Sequence, residues 1–143
     1  MGVAMQDRHV LLTGGSGGLG TAVTAALLAR GARLTVPVVD DRQAELLRAA
    51  LGDAADRIAQ PRADLRSEAD VQRVIDGMER VDVVVHLVGG FAMGDTDQQS
   101  LEGFRGQLEL NLVTAFLVIK HGLRRMKEGG YGRIVCVGSR AAV

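Results

Sequence analysis

A glycine-rich segment near the N-terminus constrains the fold more than any other feature of the chain. "TGGSGGLG", residues 13–20, follows the apolar run 9–13 and leads into the Ala-rich segment 21–31. Glycines between a strand and a helix permit a tight turn and let helix N–H groups approach a phosphate. A Walker A loop is excluded because no Lys precedes Thr21. The segment predicts a dinucleotide-binding loop; the alternative, a flexible turn, is disfavoured by five glycines in residues 14–20.

Five apolar runs alternate with helical patterns, an order typical of βαβ units and a parallel sheet. The runs predict strands over 9–13, 33–39, 57–63, 81–88 and 132–138, and the helical patterns cover 21–31, 40–52, 67–79 and 100–127. Ser67 and Ser100 stand at N-cap positions, and Asp70 completes a variant of the capping box with Ser67. Right-handed crossovers favour strand order 3-2-1-4-5. We therefore expect a single α/β domain over 1–143, a truncated Rossmann fold with a parallel five-stranded sheet and helices on both faces.

Composition excludes several classes of function. Basic and acidic residues number 17 each, so the zero net charge offers no electrostatic footprint for nucleic acid or an anionic membrane. The single Cys136 cannot form an internal disulfide, and the apolar run near the N-terminus is too short for a signal peptide or a membrane span. These features predict a cytoplasmic protein. No metal site is expected, because the three histidines form no metal-spaced cluster: His9, His86 and His121.

Further motifs follow the glycine loop in an order that resembles one enzyme family. The resemblance is carried by Thr13-Gly14-x-x-x-Gly18-Leu19-Gly20, "ADL" at 63–65, "HLVGG" at 86–90, "LNLV" at 110–113 and "GRIVCVGS" at 132–139. Together they resemble the short-chain dehydrogenases/reductases over the whole chain. The chain departs from the family's Asn-Asn-Ala-Gly, since His86 and Leu87 replace the two asparagines and Val88 replaces the alanine.

The resemblance implies a nicotinamide dinucleotide as cofactor and reversible hydride transfer to or from a carbonyl or alcohol. It assigns cofactor binding to Gly14, Ser16, Gly17, Gly18, Leu19, Gly20, Asp64, Leu65, Val88, Gly89 and Gly90. Within that set, Asp64 would receive the adenine amino group. The implied catalytic residues are Asn111, which would hold a water of the proton relay, and Ser139, which would hydrogen-bond the substrate oxygen.

The choice between NAD and NADP depends, by the same resemblance, on the end of the second strand. Counting from Gly20, the discriminating position falls on Val38. Asp40 and Asp41 follow closely and could reach the adenosine ribose, which favours NAD. Two alternatives stay open: both acids simply begin the next helix, or Arg42 meets a 2′-phosphate.

The family's Tyr-x-x-x-Lys motif is absent from the 143 residues. In the family that Tyr is the general acid and lies beyond the catalytic Ser, whereas this chain ends four residues after Ser139. Tyr131 precedes the fifth strand and so is expected at the wrong edge of the sheet. His86 is better placed, either near cofactor and substrate or as a buried hydrogen-bonded histidine. We expect dinucleotide binding with little or no turnover; a non-catalytic binding module or partner subunit is the alternative.

Two surfaces predict a homo-oligomer. Strand 132–138 lies at the edge of the expected sheet and is apolar, so its free main-chain groups would recruit another strand. The helix over 100–127 is apolar all round in its segment 110–119, and it has an apolar stripe at helical spacing made of Leu101, Phe104, Leu108, Leu112, Ala115, Ile119, Leu123 and Met126. In the family this helix commonly packs against its copy. Cys136 is expected in the core; aggregation without symmetry is the alternative to a defined oligomer.

Overall fold

The computed structural model describes residues 5–138, which form one parallel sheet and five α-helices. The strands are β1 (His9–Thr13), β2 (Arg33–Thr35), β3 (Ile58–Ala59), β4 (Val83–His86) and β5 (Arg133–Cys136). The helices are α1 (Gly18–Ala29), α2 (Asp41–Leu51), α3 (Glu68–Asp76), α4 (Leu101–Leu108) and α5 (Thr114–Gly129). A π-helical turn, Glu109–Val113, joins α4 to α5, and short 3₁₀ turns cover Gly52–Arg57 and Thr96–Gln98. No helix in residues 5–138 is both long and apolar enough to cross a bilayer.

The sheet has the predicted order, β3-β2-β1-β4-β5, with every pairing parallel. The register places Thr13 opposite His86 and His86 opposite Cys136, so these three residues form a row at the carboxyl edge. The switch in strand order falls between β1 and β4, as expected. Loops that follow β1 and β4 therefore meet in one crevice, the usual ligand position in such sheets.

The second and third strands are shorter than the sequence predicts because two prolines interrupt their pairing. Pro37 has no N–H to donate toward β1, and β2 ends at Thr35; Pro61 has none to donate toward Val36 O, which interrupts the pairing of β2 with β3. Pairing resumes as a single bridge, in which the Val38 N–H donates to Pro61 O at 3.0 Å and the Ala63 N–H donates to Val38 O at 2.9 Å. The predicted strands 33–39 and 57–63 are thus each split around an interruption.

Hydrophobic packing covers both faces of the sheet. Alternate residues of β1 point to opposite faces: Val10 and Leu12 pack with residues of α1 and α2, and Leu11 packs with residues of α3 and α5. All four residues of β4 are buried, which explains why its sequence is apolar except for His86. This arrangement confirms the expectation of helices on both faces.

Side-chain caps start most of the helices. Ser67 accepts from the Asp70 N–H at 3.3 Å, Ser100 accepts from the Gly103 N–H at 3.0 Å, and Asp40 accepts from the Gln43 N–H at 2.9 Å. The capping box expected at Ser67 is incomplete, because the Asp70 carboxylate accepts from the main-chain N–H of Asp64 instead. That bond fixes the segment that follows β3.

The long helix differs from its prediction in two ways. It is not continuous over 100–127, because the π-turn inserts between α4 and α5 and rotates the two apolar patterns relative to each other. Most of the predicted apolar stripe is exposed, while the sheet-facing side of α5 consists of Thr114, Leu117, Val118, His121, Gly122 and Met126. Cys136 is also exposed rather than in the core, since β5 is an edge strand with little cover in residues 5–138.

Candidate functional site

The glycine loop after β1 is packed too closely for side chains at three positions, among them Gly15, where a Cβ would lie 2.6 Å from Cγ1 of the buried Val36. Gly14 has φ +73°, and a Cβ there would lie 2.9 Å from the carbonyl carbon of Leu87. A Cβ on Gly20 would overlap the carbonyl oxygen of Gly14 and lie 2.7 Å from the carbonyl carbon of Gly15. By contrast, Gly18 is exposed, and a Cβ there would meet no described atom within 4 Å. The loop therefore folds tightly on itself and on the end of β4, with its outer surface open.

Helix α1 begins with free N–H groups. Its N-cap is Gly17, no side chain in residues 5–138 caps it, and its first turn contains no acidic residue. The starts of α2, α3 and α4 are all capped by Asp or Ser. A helix N-terminus carries partial positive charge and unpaired donors, so an exposed anionic group is stabilised there. The first turn of α1 is thus available to an anion from solvent.

A cavity of about 200 Å³ lies on the α2 side of this loop. It is lined by Gly14, Pro37, Val39, Gln43, Ala63, Asp64, Leu65, Arg66, Val88, Leu110 and Thr114. Asp64 is the acidic group in it. Arg66 binds both carboxylate oxygens, with Nε 3.0 Å from Oδ1 and Nη2 2.8 Å from Oδ2, and its main-chain N–H also donates to Oδ1. These hydrogen bonds from Arg66 lower the pKa of Asp64, so the carboxylate is ionised at neutral pH.

A larger cavity of about 640 Å³ lies on the other side of the loop, at the carboxyl ends of β4 and β5. Its walls are Leu19, His86, Leu87, Val88, Gly89, Gly90, Phe91, Gln107, Leu108, Asn111, Ala115, Cys136, Val137 and Gly138. Val88 lines both cavities. The two spaces therefore flank the glycine loop and together form one crevice over the switch in strand order.

Asn111 sits in the π-turn and faces the segment after β4. Its Oδ1 accepts from the Gly90 N–H at 2.9 Å, and its Nδ2 donates to Gly90 O and to Gln107 O, both at 3.0 Å. A Cβ on Gly89 would lie 2.8 Å from Asn111 Oδ1, so this approach requires glycine there. The π-turn thus aims Asn111 at residues 89–90 and holds their main chain at the mouth of the larger cavity.

His86 is a buried hydrogen-bonded histidine that also contributes to the wall of the larger cavity. Its Nδ1 lies 2.8 Å from Thr13 Oγ1, and its Nε2 lies 3.4 Å from Thr114 Oγ1. Burial lowers the pKa of His86 below its ordinary value. The structure agrees with the alternative of a buried hydrogen-bonded histidine, and contact of His86 with a cofactor or substrate stays a prediction.

The remaining predicted site residues are Ser16, Gly17, Gly18, Leu65 and Ser139. Ser16, Gly17 and Gly18 line a shallow depression against α2, and Leu65 lines the smaller cavity. Ser139 lies outside the described residues. Arg66 forms an ion pair with Asp64, which was not predicted from the sequence. The spacing of two residues between the acid and the base is the sequence feature that indicates this pair. Residues 5–138 contain no cluster of His, Cys, Asp or Glu that could hold a metal ion.

The other candidates from the sequence lie away from the crevice or serve the helices. Tyr131 stacks under Arg8 and Arg133, whose guanidinium carbons lie 4.2 and 5.2 Å from its ring centre, at the amino edge of the sheet. The Asp40 carboxylate caps α2, as described above, and Asp41 pairs with Arg62 at 2.9 Å. Both acids therefore start the helix, which was one of the alternatives left open.

Comparison with known proteins agrees with this geometry. The family model described as short chain dehydrogenase matches residues 8–143. A D-threitol dehydrogenase of Mycolicibacterium smegmatis is 31% identical over 142 residues, which cover 96% of this chain and 55% of that protein. A 3-beta-hydroxysteroid dehydrogenase of Comamonas testosteroni is 31% identical over 139 residues, which cover 94% of this chain and 53% of that protein.

A solved structure from Mycobacterium ulcerans, described as a short-chain type dehydrogenase/reductase, superposes with a TM-score of 0.88. It is 32% identical in sequence, and the match covers 98% of this chain and 54% of that one. The chain spans about half the length of the curated relatives it matches. The family model matches nearly all residues of this chain, and the fold superposes on that of the M. ulcerans protein. The chain therefore belongs to the short-chain dehydrogenase family.

Proposed function

We propose that this chain forms the dinucleotide-binding part of an NAD(P)-dependent oxidoreductase that transfers hydride between the nicotinamide and a carbonyl or alcohol. The observation that carries the proposal is the uncapped start of α1, placed between two cavities that share Val88. A dinucleotide has this layout, with an anionic pyrophosphate between two ring systems. The residues fit such a group, because Gly14 and Gly20 bring the main chain closer than any side chain would permit.

The proposal gives most of the predicted cofactor residues a role; Ser16 is the one to which it gives none. Gly18 and Leu19 would present N–H groups to the pyrophosphate, whereas the Gly17 N–H donates to Gly14 O at 3.1 Å and Gly17 would contribute the N-cap position. Asp64 and Leu65 would hold the adenine in the smaller cavity; Asp64 Oδ2 accepts one hydrogen bond from Arg66 and retains a lone pair for the adenine. The nicotinamide would lie in the larger cavity against three residues at the end of β4, namely Val88, Gly89 and Gly90.

The nicotinamide, when bound, supplies or accepts the hydride. The chain's own residues orient the reacting groups: Asn111 holds the Gly90 main chain beside the larger cavity, whose wall is largely apolar. Ser139, by family resemblance, would hydrogen-bond the substrate oxygen. The general acid would come from a Tyr-x-x-x-Lys motif, which the 143 residues do not contain.

We retain NAD as the predicted cofactor. The support is Asp40, which is exposed, uses Oδ1 to cap α2 and has no cation partner within the described part of the chain. Its second oxygen is available to the hydroxyls of an adenosine ribose. A 2′-phosphate at the same place would be repelled by this negative charge. In the NADP alternative Arg42 would bind the 2′-phosphate, and comparison of the affinities for NAD⁺ and NADP⁺ decides between the two.

Calorimetric titration with NAD⁺ and with NADP⁺ tests the proposal. Gly17→Asp is the sharpest variant, because a Cβ at Gly17 meets only Gly14 O, at 3.4 Å, and Asp is a preferred N-cap. We expect this variant to fold at least as stably as the wild type and to lose dinucleotide binding through charge repulsion. Gly17→Asn, of equal size and without charge, is the matched control. Folded wild-type protein that gives no heat and no thermal shift at millimolar dinucleotide would refute the proposal.

Turnover by the 143-residue chain alone is expected to be negligible. Loss of a general acid typically costs about 10²–10⁴-fold in rate. Oxidation of NADH or NADPH with a carbonyl substrate measures this directly. Robust turnover that Ser139→Ala abolishes would show that another group in the chain supplies the proton.

We further propose that the protein is a cytoplasmic homo-oligomer. A single cysteine suits a reducing compartment. Exposed apolar side chains on the helices form a face that a second copy of the chain would cover: Leu101, Phe104, Leu108, Leu112, Phe116 and Leu123. The β5 edge adds Ile134, Val135 and Val137. Monomers seldom expose so many large apolar side chains together.

A further inference from the structure

The hydroxyl of Thr114 fixes the tautomer of His86. Thr114 Oγ1 donates to the carbonyl oxygen of Leu110 at 2.7 Å, and this bond uses its only proton. The same oxygen can then only accept from His86, whose Nε2 lies 3.4 Å away and must carry a proton. A neutral imidazole protonated on Nε2 has a lone pair on Nδ1, which accepts from the Thr13 hydroxyl at 2.8 Å. The surroundings thus select the neutral Nε2–H form.

His86 joins the three segments that border the crevice. Thr13 directly precedes Gly14, and Gly14 packs against the main chain of Leu87 and Val88. Thr114 directly follows the π-turn that carries Asn111. The imidazole therefore lies between the start of the glycine loop and the end of the π-turn, and its own main chain leads into the segment that Asn111 binds.

We propose that His86 is a positioning residue of the dinucleotide site, which as a neutral Nε2–H tautomer fastens the glycine loop to the π-turn that carries Asn111. This inference rests on the proposed function for its effect on affinity. It concerns a position where the chain has His and the resembling family has Asn. The longer ring reaches a second partner, Thr114 of α5, in addition to Thr13 of β1.

Protonation of His86 would disrupt this arrangement. A proton on Nδ1 would face the Thr13 hydroxyl, whose own proton would then need another acceptor in a fully buried position. Burial lowers the pKa of His86, and no charged group contributes to that shift. Thr13 of β1 and Thr114 of α5 are uncharged, and Cys136 is the other titratable group among the described residues of the larger cavity. Dinucleotide affinity is therefore expected to fall only at pH values below the ordinary histidine range, near about 6.5.

The tautomer is tested without any ligand. Two-bond ¹H–¹⁵N correlations of the histidine rings distinguish the Nε2–H, Nδ1–H and doubly protonated forms. We expect Nε2–H for His86 at neutral pH and the doubly protonated ring only below about pH 6.5, with the assignment made from His86→Gln. A ring that is Nδ1–H, or that is charged at neutral pH, would overturn the proposal. This readout stands even if neither dinucleotide binds.

The coupling is tested by titrating NAD⁺ and NADP⁺ into the full chain at pH 5.5 to 8. His86→Ala should weaken dinucleotide binding about tenfold. His86→Gln has a donor group and an acceptor group but does not titrate, so its affinity should lie within about threefold of the wild type. The affinity of His86→Gln should also lack the acid limb, which is the decrease that the wild type shows at low pH. His121→Gln is the matched control, a buried histidine of α5 that bonds Glu68 away from the crevice. Cys136→Ser removes the other titratable group and should leave the acid limb in place.

The outcomes separate the two proposals. Equal affinities and equal pH profiles for the wild type, His86→Gln and His86→Ala would refute positioning by His86. If wild type binds neither dinucleotide, the proposed function fails, and the amide signals of Gly14 and Gly90 then decide about His86. Both signals should shift in His86→Gln and stay fixed in His121→Gln. If His86→Ala does not fold, the proposal is tested by the titration of His86→Gln and by the ring tautomer of His86 in the wild type.

Discussion

The side-chain amide of Asn111 pairs with the main chain of Gly90 through two hydrogen bonds, in the way that a peptide group of a neighbouring strand would. The amide of Asn111 accepts from the Gly90 N–H at 2.9 Å and donates to Gly90 O at 3.0 Å. Residues after a strand usually owe their conformation to turn chemistry. Here the main chain at 89–90 depends on a helix, and specifically on the π-turn that directs Asn111 toward it.

Asn111→Ala should therefore loosen residues 89–90 more than it destabilises the fold. Asn111 is exposed, so the expected loss in unfolding free energy is about 1 kcal/mol. Amide hydrogen exchange at Gly90 should accelerate at least tenfold, and dinucleotide binding should weaken several-fold. Asn111→Asp, which keeps the acceptor for the Gly90 N–H but loses the donor, should give an intermediate exchange rate. Unchanged exchange at Gly90 in both variants would mean that the pairing does not hold this segment.

The glycines of the loop are expected to differ sharply in their tolerance of alanine. Gly20→Ala would place its Cβ onto the carbonyl oxygen of Gly14 and should lower the free energy of unfolding by about 2–4 kcal/mol. Gly18→Ala meets open space at the first residue of α1 and should change stability by no more than about 1 kcal/mol, in either direction. Urea unfolding of both variants measures the difference. Similar stabilities would show that the loop relaxes around the added methyl group.

The sequence predicted the sheet because its signals are local and agree with one another. Apolar runs, glycines and the caps Ser67 and Ser100 each act within a few residues, and the handedness of crossovers then leaves one strand order. Asn111 was also identified in advance, but only through resemblance. Its partner Gly90 lies 21 residues away, and nothing local indicates that contact.

The failures have physical causes that a helical or strand period does not encode. A π-turn adds a residue to the helix repeat, so the apolar stripe predicted across 100–127 follows the wrong face of α5. Cys136 was assigned to the core from an apolar strand, although a strand at the edge of the sheet is covered only where another element packs on it. The pairing of Arg66 with Asp64 is different, because a spacing of two residues is visible in the sequence.

Asp82 is expected to dominate the acid sensitivity of the amino edge. Burial raises its pKa, but hydrogen bonds from the His9 N–H at 2.8 Å and from Arg80 at 2.9 Å, with Arg8 nearby, outweigh burial and lower the pKa overall. Its folded pKa thus lies below the unfolded value near about 3.9. The stability that Asp82 contributes is therefore complete above that unfolded value and is lost as the pH falls through the lower folded value.

Asp82→Asn tests this assignment. At pH 7 the variant should lose about 1–2 kcal/mol of unfolding free energy, because the buried Asp82 carboxylate loses its ion pairs with the partly exposed Arg80 and Arg8. The difference between wild type and variant should shrink as the pH falls below about 4. Urea unfolding at several pH values gives both quantities, with Asp95→Asn, an exposed acid, as the control. A difference that stays constant down to pH 3 would contradict the expected titration.

The two apolar surfaces make separate predictions about self-association. Phe116, on α5, is 59% exposed, and Val135, on β5, is 50% exposed. Light scattering coupled to size exclusion should give the wild type twice the mass of one chain at micromolar concentration. Phe116→Glu should lower that mass if the copies meet through the helix face, and Val135→Lys should lower it if they meet through the strand edge. Leu46→Glu, at a comparably exposed position on α2, is the control and should leave the mass unchanged.

The pattern across these variants decides between a defined dimer and unspecific adhesion. A two-fold dimer buries the same patch on both copies, so one charge introduced there appears twice in the interface and should dissociate it. Aggregation without symmetry uses any apolar patch, so single charges should reduce it only partly and the mass should depend on concentration without a plateau. A stable, soluble wild type with the mass of one chain would refute the dimer. The apolar face on α4 and α5 would then be exposed to solvent in a stable monomer.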